Sequence, residues 1–154
     1  IFGESANDGA GGTGVAISSD GSVVAITSRG YAYSPVQGQI RMFKYKYVTQ
    51  DEWDNGEPHS SGATGAQTSG VPVIISSTGA TLDTSIKYWY QIGDDILGHH
   101  HRTDGGYAQH SSFGDSIELN SDGTILVVGA WLQDNDPFTS NTWNEGEVSV
   151  FKYM

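Results

Sequence analysis

The chain carries one strand-and-turn pattern twice, and any fold it adopts has to build that pattern two times over. GVAISSDGSVVAITS at 14–28, followed by GQIRMFKY at 38–45, parallels GDSIELNSDGTILVVGA at 114–130, followed by GEVSVFKY at 146–153. The turns Ser19-Asp20-Gly21 and Ser121-Asp122-Gly123 lie 102 residues apart, and Phe43-Lys44-Tyr45 and Phe151-Lys152-Tyr153 lie 108 apart. The difference of 6 falls in the loop between the second and third strands, longer in the second copy at 131–145. Upstream, Ile1-Phe2-Gly3 aligns with Ile96-Leu97-Gly98 at an offset of 95. Self-similarity on this scale marks a repeat architecture, in which units bury their faces on one another.

The units read as strands. Val15 and Ile17, then Val23 and Ala25, alternate as one-sided strands do. So do Ile40 and Met42 against Arg41 and Phe43, and Val148 and Val150 against Ser149 and Phe151. Asp-Gly between apolar runs is a hairpin signal, because Asp tolerates and Gly supplies positive φ. The chain has 11 Val and 11 Ile against 5 Leu, a bias toward side chains that fit a pleated surface. YWYQIGDDI at 88–96 reads as a further strand leading into the second unit. The expected fold is all-β, with propeller-like blades of antiparallel strands, about two blades in an incomplete ring.

Three segments follow: a first blade at 1–47, a Ser/Gly-rich insertion at 48–85, and the joining strand with the second blade at 86–154. Within the insertion, SSGATGAQTSG at 60–70 reads as a loop, and VIISSTG at 73–79 echoes VAISSDG at 15–21. An insertion with its own hairpin fits better than a degenerate blade, since too few residues separate Gly79 from the joining strand. Pro72 points to an edge strand. A ring takes about 4–8 blades, so the segment is expected to be part of a larger propeller, or to close with other copies of itself. The first strand of each blade is expected innermost, with Ala16/Ile17 and Ile117/Leu119 packed between sheets.

Net charge is −11, from 7 Lys+Arg against 18 Asp+Glu. This repels phosphate, which argues against nucleic acid and anionic membrane surfaces as partners. There is no cysteine, which removes disulfides, thiolate catalysis and Cys-ligated zinc. No apolar run approaches the roughly 18 residues of a membrane span.

Several residues are candidates for chemistry. His99 and His101 share one side of an extended segment and would suit a metal. Asp134, Asp136, Asn141 and Glu145 offer oxygen ligands on a long loop, the kind Ca2+ prefers, though without EF-hand spacing. Tyr31, Tyr33, Trp131, Phe138 and Trp143 lie in or beside the same loop of the two copies, where aromatic tips suit a carbohydrate or protein ligand. Gly9-x-Gly11-x-x-Gly14 has the dinucleotide spacing, but a strand pattern follows where a helix is needed. Gly114-Asp115-Ser116 is similar to the nucleophile block of GDS-type esterases, yet Ser116 falls inside an alternating strand. No coherent catalytic set is visible.

Ser112-Phe113-Gly114-Asp115-Ser116-Ile117-Glu118-Leu119, then Ser-Asp-Gly, Val127-Val128-Gly129-Ala130 and Gly146-x-Val148-x-Val150-Phe151, resembles the FG-GAP repeat. That repeat builds the propellers of integrin alpha chains. The second copy matches well; the first has Gly12-Thr13-Gly14 in place of Phe-Gly and Ile26-Thr27-Ser28 in place of Gly-Ala. The family's Asp-x-Asp-x-Asp-Gly calcium loop is replaced by the short Ser-Asp-Gly turn, so the resemblance transfers no calcium site. It implies a non-enzymatic binding, adhesion or scaffold module, extracellular or at the cell surface, whose partners are a protein or carbohydrate ligand and further blades. The alternatives are a fragment of a propeller-fold hydrolase or lyase, and a structural subunit of a larger assembly.

Overall fold

The two Ser-Asp-Gly turns close their hairpins with matching bonds in a computed structural model. It describes residues 9–28, 38–51, 72–73 (backbone only), 83–85, 87–98, 112–131 and 146–153. Gly21 N donates to Ser18 O at 2.9 Å, and Gly123 N to Asn120 O at 3.0 Å. Asp20 Oδ1 accepts from Ser22 N, and Asp122 Oδ1 from Thr124 N, both at 3.0 Å. Gly21 and Gly123 sit at φ of 70° and 71°, where a side chain would crowd the backbone. The repeat in the sequence is thus a repeat of atoms.

The strands are β1 (Val15–Ile17), β2 (Val23–Ser28), β3 (Gln39–Tyr47), β4 (Pro72–Val73), β5 (Lys87–Gln91), β6 (Ile96–Leu97), β7 (Ser116–Leu119), β8 (Ile125–Ala130) and β9 (Glu147–Lys152). They form two open antiparallel sheets, the all-β architecture expected, and among the described residues the only helical ones are Gln50 and Asp51. The first sheet runs β1-β2-β3-β5-β4, with β6 also paired to β3; the second runs β7-β8-β9. The joining strand bonds to the first sheet. Phe43 faces Gln91 and Ile40 faces Ile96, so β5 and β6 together line the outer edge of β3. Pro72 lies at the sheet edge, where β4 pairs with β5 alone among the described residues. That is where a residue without an N–H does no harm to the ladder. Residues 52–71 and 74–82 of the insertion, and residue 86 at the start of the joining strand, lie outside the described residues.

The sheets pack face to face. Ala16, Val23, Ala25, Ile40 and Met42 of the first meet Ile117, Leu119, Leu126, Val128 and Ala130 of the second, with Phe113 between them. Full burial of each large aliphatic side chain contributes about 1.5–3 kcal/mol. β1 and β7 run side by side, joined beyond their ends by Ser19 N donating to Ser121 O at 3.0 Å. One expectation needs correction. Ala16 does pack between the sheets, but Ile17 points to the opposite face and is 59% exposed. Adjacent strand residues project to opposite sides, so the pair could not both be buried in one interface.

Candidate functional site

The strand ends that flank the sequence candidates gather at one end of the two sheets. Ser28 closes β2 opposite Gln39 at the start of β3, and Gln39 is also opposite Leu97 at the end of β6. Ala130 closes β8 opposite Glu147 of β9, and Ser116 opens β7 opposite Gly129. The segments leaving these ends are 29–37, 99–111 and 132–145. They hold Tyr31, Tyr33, His99, His101, Asp134, Asp136, Phe138, Asn141, Trp143 and Glu145, all of which lie outside the described residues.

Phe113 and Gly114 bring the two sheets together at this end. Phe113 is buried and meets Phe151 edge-on, with ring centroids 6.5 Å apart at 89°. Its backbone lies so close to Gly38 that a Cβ there would come within 2.2 Å of Phe113 O. A Cβ on Gly98 would come within 2.6 Å of Phe113 Cβ. Only glycine admits this approach. Gly114 N donates to Gly129 O at 3.1 Å, and Asp115 N to Ser112 O at 3.1 Å, so the turn is held against β8.

That turn positions the one predicted aromatic contact among the described residues. Trp131 follows β8 and is 60% exposed. Its indole Nε1 donates to Asp115 Oδ2 at 2.7 Å. A charge-assisted bond of this kind is stronger than a neutral one. It fixes the indole edge and leaves much of the ring open to solvent beside the loop end.

The remaining motifs resolve plainly. Gly9 and Gly11 have positive φ, Gly12 N donates to Gly9 O at 2.8 Å, and β1 follows directly. The segment is a turn leading into a strand, which lacks the helix N-terminus a pyrophosphate requires. Ser116 opens β7 in register with Gly129, and the neighbouring Asp115 is engaged by Trp131. Among the described residues no group of three or more His, Asp or Glu is placed to hold a metal ion.

Electrostatic shifts concentrate at the turns. Hydrogen bonds from Ser18 and then Ser22 draw the exposed Asp20 carboxyl down to about 2. Bonds from the Thr124 side chain and backbone lower Asp122 likewise. Tyr153 is pushed above its ordinary 10.0 by burial and then by Asp94 and Asp95.

One cluster escaped the sequence reading. Asp95, in the turn between β5 and β6, accepts from Gln39 Nε2 and Gln91 Nε2, both at 2.7 Å. The two glutamines are buried, and Arg41 is buried on the same sheet face, 5.6 Å from the Phe43 ring centroid. Asp95 thus joins β3 to the broken outer strand. Gln39 lies 56 residues from Asp95, and neither residue carries a local signal of the contact.

Compared with family models, curated proteins and solved structures, the chain finds no match in any of the three.

Proposed function

We propose that the chain is a non-enzymatic binding module built on FG-GAP-like propeller blades, with its ligand surface at the loop-bearing end. The carrying observation is that end itself. The strand ends flanking every loop that holds a candidate contact residue come together there, and Trp131 stands beside them with its indole edge fixed and its ring open. Aromatic rings of this kind bury large apolar area at small entropic cost, which suits a carbohydrate or protein ligand. The Phe113-Gly114 turn, pressed on Gly38 and Gly98, supports the FG-GAP reading because it gives the Phe-Gly pair a structural task between blades. An extracellular or cell-surface setting follows from that resemblance and accords with the acidic composition.

The test is binding of the full chain to an oligosaccharide array and to immobilised extracellular-matrix proteins, followed by titration of any hit. Binding that weakens about tenfold or more in Trp131→Ala, and returns in Trp131→Phe, is the expected result. Absence of binding to every probe at millimolar concentration, or a hit that Trp131→Ala leaves unchanged, overturns the reading.

A further inference from the structure

The inter-sheet interface is built from two different faces, and each sheet carries both. At the 102-residue offset, Val127 holds the place of Ala25, and at the 108-residue offset Val148 and Val150 hold the places of Ile40 and Met42. Ala25, Ile40 and Met42 are buried against the second sheet. Their counterparts point away from the first sheet, 39%, 70% and 65% exposed. The converse also holds. Ile117 and Leu119, which pack on the first sheet, correspond to Val15 and Ile17, each 59% exposed. The sheets are therefore stacked head to tail, upper face of the first on lower face of the second. Among the described residues, no strand covers the upper face of the second sheet or the β1 side of the first.

The internal interface thus specifies what fits each open face. The Val127, Val148 and Val150 face matches a surface like that of β7, and among the described residues the exposed surface of that kind is β1. We propose that the chain self-associates head to tail, with the Val127/Val148/Val150 face of one copy packing on the Val15/Ile17 face of a second. Elsewhere on the lower face of the first sheet Val24 and Phe43 are already buried, so the new contact runs along β1. The internal interface is also close here, since a Cβ on Gly14, just before β1, would lie 3.1 Å from Ile117 Cγ1. Because the two faces differ, the contact is heterologous and generates rings or open chains of copies. Glu118 takes the position of Ala16 and is exposed, so it opposes the contact. The net charge of −11 opposes it too, and salt relieves that repulsion. The proposal rests on the equivalence of faces and is independent of what the loop end binds.

Sedimentation velocity of the full chain across a concentration series, at low and at about 0.5 M salt, is the test. Wild type forms oligomers that grow with concentration and with salt. Val150→Glu and Ile17→Glu each block one face at a solvent-exposed position, weaken association on the order of 30-fold or more, and sediment as monomers. Mixing the two restores a single 1:1 dimer that cannot grow, since each supplies the face the other has lost. Glu118→Ala strengthens association. A wild type that stays monomeric at high concentration overturns the proposal. So does an Ile17→Glu protein that still self-associates, which would show the valine face pairing with itself, or a mixture that stays monomeric. Trp131→Ala leaves all of these outcomes unchanged, so failure here and failure of the ligand reading are separate results.

Discussion

Replacing Phe113 by alanine removes the ring that packs where the two sheets meet at the loop-bearing end. The side chain is buried, so its transfer from water alone contributes about 1.5–3 kcal/mol. Its edge-on contact with Phe151 at 6.5 Å adds about 0.5–1.5 kcal/mol. The void left behind adds a cavity term, and Phe-to-Ala changes in cores cost about 3–5 kcal/mol in all. Collapse is hindered here, because the neighbours across the sheets are Gly38 and Gly98, whose backbones are bound to each other by Gly98 N donating to Gly38 O at 2.8 Å. We therefore expect a loss of about 4 kcal/mol, a large share of the stability of about 5–15 kcal/mol typical of a domain. Urea unfolding at low protein concentration, followed by tryptophan fluorescence, reads it as a lower midpoint with an unchanged slope. Phe113→Leu should lose much less. A loss below about 1 kcal/mol in Phe113→Ala would show that the ring does not hold the sheets together.

Other outcomes follow from particular contacts. Asp95→Ala strips the acceptor from the buried Gln39 and Gln91 amides and should cost about 1–3 kcal/mol, measured by the same unfolding series; no change would place that bond network in solvent. Asp20 titrates near 2 when folded against an ordinary 3.8, so its contribution is present above 3.8 and is lost as pH falls toward 2. Asp20→Asn should flatten the acid limb of stability against pH, and an unaltered limb would refute the role of the Ser18 and Ser22 bonds. Tyr153 is shifted the other way, so its contribution is intact below pH 10.0 and is lost as pH rises through the folded value. Tyr153→Phe should remove that alkaline decline, which thermal melts above pH 10 would detect.

The strands and the two turns were legible from the sequence because their causes are local. Alternating Val, Ile and Ala select a pleated chain with one apolar side, and an Asp-Gly pair supplies the φ a hairpin needs. The repeat offsets then foretold matching turns, and Gly21 and Gly123 close theirs with equivalent bonds. Pro72 announced an edge because a missing N–H is a property of the residue itself.

What needed the tertiary structure was everything decided across long sequence distances. The joining strand carries no mark of its partner, and only packing assigned it to the outer edge of β3. Asp95 reads as a solvent carboxylate until Gln39, 56 residues earlier, is brought to it. Ile17 and Ala16 looked alike as apolar strand residues, and only the placement of the second sheet decided that Ala16 is covered while Ile17 stays 59% exposed. Local chemistry sets the conformation of each segment and the two sides of each strand. Which side is buried depends on which other surface arrives, and that is settled by shape and apolar area meeting across the whole fold.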